Sequence, residues 1–521
     1  MFKQVLIQQL MATILGGIAV FSYAPFHFSL LALISFSGLL LLIADKSAKQ
    51  AAIIGLSWGL GYFSSGIHWV YISIKQYGEL PTIVAITILV LLIVYLSLYP
   101  LLFATLVRLS NKLAPAYSVK QLVLLSPLLW QFTEYLRGTI LTGFSWLEFG
   151  YSQLDSPLKG LFPIIGIDGV NLIFSILCGL LAYLICHLIY LIRYKQWRIS
   201  KTHFFNALIA LLIFYFAPIL TNCAEWTHQD NSRQVNVSLV QGNITQSLKW
   251  NANQLENTLH TYYSLTKNLL EQSDIIIWPE AAITDLETNQ QFYLRQLDQL
   301  ARANQSAIAV GIIDLRHNSD DYDIFNTLIV LGDENPYHYP TENRYNKHHL
   351  VPFGEYIPLQ LLLEPIANLL QIPMSSMSFG ERIQKPLVMK GFKFTTVICY
   401  EAILSDLVLA NFSNDTDFLL TVSNDAWFGE SIGPWQHLQM VQARALEFGR
   451  TMIRSTNNGI TAIIDPSGKI LQQAPQFKTT TLSMQLSPNT GLTPYAKWGH
   501  FPLFIMMIIL SLLLIPKTRY N

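Results

Sequence analysis

Residues 394–401, Phe394-Thr-Thr-Val-Ile-Cys399-Tyr400-Glu401, combine a strand pattern with three side chains capable of chemistry. The β-branched and apolar residues predict a short buried strand that ends on a thiol. A cysteine at a strand end has a rigidly held backbone, and its sulfur faces the space beyond the sheet edge. That position suits a nucleophile if a base and a cation lie nearby. Taken alone, Cys399 is better explained as a buried structural cysteine, because free cysteine is among the most buried residue types.

The composition of the whole chain indicates a membrane protein. The 521 residues are 51% hydrophobic and only 13% charged, whereas soluble domains carry roughly 25% charged residues. Lys plus Arg and Asp plus Glu balance at 33 each, so no net charge favours nucleic acid as a partner. The cysteines Cys178, Cys186, Cys223 and Cys399 lack paired CxxC spacing, which argues against a zinc site or a disulfide framework.

The first part of the chain consists of apolar runs long enough to cross a bilayer, roughly 20 residues each. We predict spans at residues 5–23, 27–44, 51–73, 82–107, 121–141, 161–192, 204–220 and 501–516. The run 161–192 is long for one span, so an interfacial or re-entrant piece at 163–169 is an alternative for its start. The pattern predicts a membrane domain at 1–221, a separate domain at 222–495, and a closing helix with a tail at 496–521.

The positive charges of the connecting loops predict the orientation of these spans. They fall on alternate loops, at Lys3, Lys46, Lys49, Arg108, Lys112, Lys120, Arg193, Lys195, Arg198, Lys201, Lys517 and Arg519. Because cytoplasmic loops carry the excess of Lys and Arg, both termini are predicted to be cytoplasmic. Residues 222–495 would then lie outside the cytoplasm, where a cysteine with no evident disulfide partner is more often reactive than structural.

Two features among the spans are polar or irregular. Glu134 and Arg137 lie three residues apart on one helix face, which predicts an ion pair. Residues 141–151 are too rich in glycine and aromatic residues for a plain span, and we predict an interfacial loop that could line a lipid groove.

From residue 234 onward the pattern changes to short β-rich runs that alternate with amphipathic helices. Strands are predicted at 235–240, 274–278, 306–315, 325–331, 394–399, 418–422 and, as a pair, 451–464, with helices at 253–272, 291–304 and 434–450. This alternation predicts a layered α/β fold. Neither GxGxxG nor GxxxxGK[ST] occurs, so a phosphate cradle for nucleotides is not supported.

A carboxylate follows the predicted strand at 274–278, in the sequence Trp278-Pro279-Glu280. Directly after an apolar strand and a proline, Glu280 would be oriented but poorly hydrated. We expect desolvation to raise its pKa and to make it a competent base near neutral pH. An exposed surface carboxylate is the alternative for Glu280 considered alone.

A lone lysine precedes a loop punctuated by proline and glycine, in the stretch Arg344-Tyr345-Asn346-Lys347-His348-His349. An ammonium beside a thiol lowers the pKa of the thiol and can hold a developing oxyanion. The two adjacent histidines suggest a metal site, but no third ligand or HExxH spacing accompanies them, so we predict no metal.

In this order the three stretches resemble the nitrilase superfamily, whose Glu-Lys-Cys triad lies at strand ends of an αββα sandwich. Further motifs carry a closer resemblance, to the membrane-embedded apolipoprotein N-acyltransferase family. They are Val240-Gln241-Gly242-Asn243 leading to Trp250, Lys347 to Glu355, Cys399-Tyr400-Glu401, and Ser423-Asn424-Asp425-Ala426-Trp427-Phe428-Gly429. The resemblance covers essentially the whole chain, including the order of seven spans, a nitrilase domain and one closing span.

The resemblance implies a catalytic triad of Glu280, Lys347 and Cys399. It also implies that Glu355 and Glu401 support the triad, that Tyr400 and Trp250 line the pocket, and that Gly143 and Trp146 belong to a lipid-facing loop. Anchoring of the domain to the bilayer surface is an equally weighted role for Trp250 and Trp427. No cofactor is implied.

The activity implied is the last acylation step of bacterial lipoprotein maturation, in the inner membrane. An acyl chain would pass from a phospholipid, typically phosphatidylethanolamine, through a thioester to the α-amino group of a diacylglyceryl-cysteine. A membrane-anchored amidase with the same triad is the main alternative, although it would not need eight spans. A transporter would require paired ionisable residues at mid-membrane and broken helices in matching halves, and the sequence shows neither.

Overall fold

The computed structural model describes residues 2–78, 80–197, 199, 201–317, 322–352, 354–357 and 377–515. Arg198, Lys517 and Arg519, which contributed to the predicted orientation, and Pro516 lie outside the described residues. The chain divides into two compact units. Unit 1 comprises residues 1–71, 81–225 and 497–521, and unit 2 comprises 72–80 and 226–496.

Unit 1 is helical. Its main helices are Phe2–Ile18, Leu30–Ile43, Ala48–Gly66, Thr82–Leu109, Ser126–Thr139, Phe162–Tyr194, Lys201–Phe216 and Phe501–Leu514. Within the described residues, four helical stretches are long and apolar enough to cross a membrane: Val5–Ser22, Thr82–Lys112, Pro157–Tyr194 and Lys201–Thr221. The helices Leu30–Ile43 and Phe501–Leu514 are apolar but shorter. The predicted number of eight spans is therefore not confirmed, while the apolar helical character of this part is.

Unit 1 contains an ion pair within one helix and a break within another. Arg137 pairs with Glu134, Nε lying 3.0 Å from Oε1, which confirms the predicted ion pair. The Arg137 guanidinium also donates to the backbone oxygen of Trp146 at 2.7 Å and so ties the loop to the helix. The helix Phe162–Tyr194 is interrupted at Gly166, where φ is 64°. This break lies within residues 163–169, where an interfacial or re-entrant start of the span was the alternative prediction.

Unit 2 is built from short strands whose residues alternate between two apolar faces. The strands are β1 Thr227–Gln229, β2 Val235–Gln241, β3 Ile275–Ile277, β4 Ala307–His317, β5 Tyr322–Leu331, β6 Arg344–Asn346, β7 Leu387–Met389, β8 Phe392–Ile398, β9 Phe418–Ser423, β10 Met452–Thr456, β11 Ala462–Ile464, β12 Ile470–Gln473, β13 Thr480–Leu486 and β14 Asn489–Gly491. In β3, Ile275 and Ile277 enter one core cluster and Ile276 enters another. This alternation is the period of two that a strand imposes.

Among the described residues of unit 2, two six-stranded sheets form, in the orders β13-β2-β3-β4-β5-β6 and β12-β11-β10-β9-β8-β7. The central strands β2-β3-β4 and β8-β9-β10 are parallel, and the outer pairings are antiparallel. Side chains from both sheets, such as Leu239 and Phe394, share one core cluster, so the sheets pack face to face.

Helices cover the outer face of each sheet. Leu255–Lys267 and Gln291–Ala303 supply side chains such as Tyr262 and Leu294 to the cluster on the first sheet. Gly433–Phe448 packs on the second sheet through residues such as Val441. The predicted αββα sandwich is therefore confirmed.

Candidate active site

The nucleophile candidate lies where a central strand ends. Cys399 follows β8 and starts a short 3₁₀ turn, Cys399–Ile403, with φ at 55°. A positive φ in a residue with a side chain is strained, by about 1–3 kcal/mol, and such strain is concentrated at functional sites. The thiol is 9% exposed, and the hydroxyl of Ser423, at the end of the neighbouring β9, lies 3.3 Å from its sulfur.

Glu401 connects this turn to the segment that carries the lysine. Its Oε2 accepts the Ile398 N–H at 2.7 Å, and its Oε1 accepts the His348 and His349 N–H groups at 2.6 and 2.9 Å. The Tyr345 hydroxyl donates to it at 3.1 Å. Burial raises the pKa of Glu401 to about 7, while the backbone donors oppose the rise. Glu401 therefore joins the turn after β8 to residues 348–349 through hydrogen bonds.

Glu280, the base candidate, follows β3. Glu280 Oε1 accepts hydrogen bonds from Lys347 Nζ at 3.1 Å and from Asn326 Nδ2 at 2.8 Å. Its Oε2 accepts the Asn424 N–H at 2.9 Å. The carboxylate is 6% exposed, so it is buried but fully hydrogen-bonded.

The expected direction of the Glu280 pKa was wrong. Burial does raise the pKa, but the ammonium groups of Lys347 and Lys249, together with the Asn326 hydrogen bond, outweigh burial and hold it below its ordinary value. Glu280 is therefore ionised at neutral pH.

Lys347, the cation candidate, follows β6, and its backbone N–H donates to the Asn326 carbonyl at 2.8 Å. Lys347 is 1% exposed, and its Nζ lies 2.8 Å from Glu355 Oε1 as well as beside Glu280. Burial lowers the pKa of Lys347, but Glu280 and Glu355 raise it well above its usual value. Glu355 also accepts the Val351 N–H at 2.8 Å, so it holds the lysine against the loop that follows.

The electrostatics keep the sulfur protonated at rest. Burial raises the pKa of Cys399 to about 12, the charge of Glu280 adds to the rise, and Lys347 opposes it. The three candidate residues, drawn from segments far apart in sequence, thus meet at one place. The resting form is a thiol beside an ion pair of Glu280 and Lys347.

The histidines beside Lys347 have other partners. His348 Nδ1 lies 2.7 Å from the Gly380 carbonyl. Burial and the neighbouring Lys347 lower the pKa of His349 to about 4, so this ring is neutral, and it stacks on Tyr400 with centroids 5.7 Å apart. Within the described ranges, no group of three or more His, Cys, Asp or Glu side chains is placed to hold a metal ion.

The remaining predicted residues occupy different places. Trp250 is 39% exposed and lines a cavity of about 260 Å³ with Leu286, Ile313, Ile324 and Met377 among other residues. The Trp427 backbone oxygen accepts the Ser73 hydroxyl at 2.6 Å within unit 2. Gly143 and Trp146 belong to unit 1, where Trp146 is 1% exposed and packs against Trp69, so its side chain does not face outward.

Sequence reasoning missed several groups that touch the site. Lys249 is 1% exposed, and its Nζ donates to the backbone oxygen of Glu280 at 3.1 Å. Asn326 bridges Glu280 and Glu355, the second contact measuring 3.1 Å. Lys249 directly precedes Trp250 in a motif already singled out. No local pattern marked either residue, because their burial beside Glu280 depends on the packing of distant segments.

A buried network lies behind the sulfur. Asp425 Oδ1 accepts the Ser423 hydroxyl at 2.7 Å, and Asp425 Oδ2 accepts Arg454 Nη2 at 2.6 Å. His437 Nε2 lies 3.2 Å from the Cys399 carbonyl oxygen, which can only accept. His437 Nε2 therefore carries the hydrogen.

Comparison with known proteins identifies the family of the whole chain. The model of the carbon-nitrogen hydrolase family matches residues 236–495, and that of the apolipoprotein N-acyltransferase N-terminal domain matches 15–181. An apolipoprotein N-acyltransferase of Vibrio cholerae is 42% identical, covering 96% of this chain and 95% of that protein. Those of Photobacterium profundum and Pasteurella multocida are each 40% identical, covering 98% and 96% of this chain and 95% and 93% of theirs. Such identity over nearly the full length of both partners shows that the chain belongs to the apolipoprotein N-acyltransferase family.

Proposed function

We propose that Cys399 accepts an acyl chain from a phospholipid as a thioester and passes it to the α-amino group of a lipoprotein's diacylglyceryl-cysteine. The observation that carries this proposal is the ion pair of Glu280 and Lys347, 3.1 Å apart, both of whose charges act on the Cys399 thiol. A base, a cation and a nucleophile in one buried place are the groups that acyl transfer requires.

In the first step the sulfur attacks the ester carbonyl of the phospholipid. Glu280 takes the thiol proton during the attack, because the resting pKa of Cys399, about 12, leaves almost no free thiolate at neutral pH. Lys347 stabilises the oxyanion of the tetrahedral intermediate. The carbon–oxygen bond then breaks, and the lysophospholipid leaves as an alcohol that carries the proton from Glu280.

In the second step the amine of the lipoprotein attacks the thioester. Glu280 accepts the amine proton, the carbon–sulfur bond breaks, and the proton returns to the departing thiolate. Because one nucleophile serves two substrates in turn, the reaction follows ping-pong kinetics.

The substrates and the location follow from the same proposal. Both substrates carry acyl chains, and the apolar helices of unit 1 would hold the protein in the bacterial inner membrane, where those chains are concentrated. Phosphatidylethanolamine is the proposed donor, and residues 222–495 would face the periplasm with both termini in the cytoplasm. An apolar surrounding keeps water from hydrolysing the thioester.

The proposal is tested by intact-mass measurement of the purified full-length protein after incubation with phosphatidylethanolamine vesicles alone. We expect the mass of one acyl chain to be added, at the peptide that contains Cys399, and removed when a diacylglyceryl lipopeptide is supplied. Cys399→Ala should abolish the addition, and Cys186→Ala, a matched change at a cysteine of unit 1, should not. An acyl chain that still attaches to the Cys399→Ala protein would refute the assignment of the nucleophile.

The amidase alternative is not favoured, because the relatives that match over the whole length are named acyltransferases. The same preparation separates the two activities. Lipopeptide that gains an amide-linked acyl chain supports transfer, whereas release of ammonia from small amides without such a gain would support hydrolysis.

A further inference from the structure

The hydroxyl of Ser423 lies between the sulfur and a buried carboxylate. Its Oγ is 3.3 Å from Cys399 Sγ and 2.7 Å from Asp425 Oδ1. All three side chains are buried, with Ser423 0% exposed and Asp425 1% exposed. A hydroxyl carries only one hydrogen, so it can donate to the sulfur or to the carboxylate, but not fully to both.

The protonation states of the neighbours decide which way this hydrogen points at rest. Asp425 is ionised, because Arg454 lies 2.6 Å from its Oδ2 and holds its pKa far below the ordinary value despite burial. An ionised carboxylate is the stronger acceptor. Ser423 therefore donates to Asp425 while the sulfur is neutral.

The charges that act on the sulfur oppose one another, so a further hydrogen-bond donor would stabilise a thiolate. Lys347 and Lys249 are positive, whereas Glu280 and Asp425 are negative and disfavour a thiolate. His437 Nε2 donates to the Cys399 backbone oxygen, not to the sulfur. A thiolate formed here would gain from a neutral donor at hydrogen-bond distance.

We propose that Ser423 is a catalytic residue whose hydroxyl turns its hydrogen from Asp425 to Cys399 Sγ whenever the sulfur becomes negatively charged. No proton is transferred to or from Ser423, because its hydrogen stays on Oγ and only the acceptor changes. Asp425 keeps Arg454 on Oδ2 in both positions, so the carboxylate is not left unpaired when the hydroxyl turns away.

The inference rests on the proposed function, since it gives the sulfur a role in both half-reactions. During acylation the hydroxyl assists the developing thiolate that attacks the ester. During transfer to the amine it assists the same sulfur as the leaving group. A donor that follows the charge of the sulfur lowers both barriers.

The test measures how fast Cys399 is alkylated in the full-length protein at pH 8, by peptide mass spectrometry. A hydrogen bond to a charged group is worth about one to two pKa units, so losing it lowers the fraction of Cys399 present as thiolate. The remaining thiolate is more nucleophilic, which recovers about half of that loss on a logarithmic scale. Ser423→Ala should therefore slow alkylation roughly three- to ten-fold. Ser423→Thr, which keeps the hydroxyl, should react at a rate near that of the wild type.

Two comparisons separate this role from a structural one. Iodoacetamide and a bulkier maleimide should slow by the same factor in Ser423→Ala, since altered access would affect the larger reagent differently. Thr421→Val removes a buried hydroxyl two residues earlier on β9 and should leave the rate unchanged. Alkylation of Ser423→Ala at the wild-type rate with both reagents would overturn the proposal.

A second variant is expected to change the alkylation rate of Cys399 in the opposite direction. Asp425→Asn removes the competing carboxylate, so alkylation should accelerate, and the acceleration should shrink in the Ser423→Ala background because the two residues act through one hydroxyl. Equal acceleration in both backgrounds would contradict the proposal. Alkylation does not require turnover, so its outcome is independent of whether the Cys399→Ala experiment supports acyl transfer.

Discussion

At the scale of single residues, the charge of Glu280 is set by cations that come from elsewhere in the chain. Lys347 reaches its Oε1 at 3.1 Å, and Lys249 donates to its backbone oxygen at the same distance. Burial lowers the pKa of Lys249 to about 8, with Glu280 opposing the fall. Two buried ammonium groups beside one carboxylate explain why it stays ionised in a place where burial favours the neutral form.

Lys249→Met should shift the acid limb of the pH profile for thioester formation to higher pH. Glu280 must be ionised to act as base, and its pKa is held below the ordinary value partly by Lys249, so losing this cation raises the pKa of Glu280. The rate with phosphatidylethanolamine between pH 3.5 and 7, in steps of roughly half a unit, checks the shift. Lys267→Met, an exposed lysine on a helix of unit 2, serves as the control. An acid limb that coincides with that of the control would show that Lys249 does not act on Glu280.

At the scale of elements, strand ends and one close approach of backbones position the site. The parallel register of β8 and β9 places Ile398 opposite Val422, so Cys399 and Ser423 emerge side by side. In the other sheet, Gly311 of β4 lies against the turn that carries Glu280. A Cβ at this glycine would lie 2.3 Å from the Pro279 oxygen, which no real side chain tolerates.

Gly311→Ala should displace the Glu280 turn. We expect thioester formation to slow on the order of 100-fold, because a shift of about 1 Å in a reacting group costs that much. The apparent unfolding temperature in detergent should also fall, since overpacking costs about 1–3 kcal/mol. Single-turnover acylation and a thermal melt provide the two measurements.

Gly17→Ala is the matched control, because a Cβ there meets its nearest atom at 3.8 Å. Its acylation rate and melting temperature should stay close to those of the wild type. If Gly311→Ala behaves like this control, the close approach does not hold Glu280 in place.

At the scale of the whole molecule, the division into units does not follow the chain in order. Residues 72–80 begin at the end of the third predicted span, 51–73, yet they belong to unit 2. Ser73 donates to the Trp427 oxygen at 2.6 Å, and Ile72 lies against Gly429. The segment is therefore part of the surroundings of the 423–429 motif.

The proposed topology predicts which positions a membrane-impermeant maleimide reaches. In a chain whose own cysteines are replaced, Asn268→Cys on unit 2 should be labelled in spheroplasts, because residues 222–495 would face the periplasm. Asn111→Cys, in a loop predicted to be cytoplasmic, should be labelled only after lysis. Both side chains are exposed. The reverse labelling pattern would place unit 2 in the cytoplasm and contradict the proposed access to lipoproteins.

The sequence by itself determined the features that depend on local pattern. Short runs of β-branched and apolar residues predicted β2, β4, β5, β8 and β9 to within three residues at each end, and amphipathic spacing predicted the helices that cover the sheets. The short strands β6, β7 and β12 were missed because so few residues give little pattern, and the seven-residue β13 was missed as well. The order of Glu280, Lys347 and Cys399 in their motifs was likewise visible in the chain.

Only the tertiary structure decided the properties that arise where distant segments meet. The ionised state of Glu280, the burial of Lys249 beside it, and the position of Ser423 between Cys399 and Asp425 all depend on the packing of two sheets. The buried side chain of Trp146 depends in the same way on its neighbours within unit 1. The physical reason is that burial and charge act through space, and their sum at one atom changes sign with neighbours that no local pattern records.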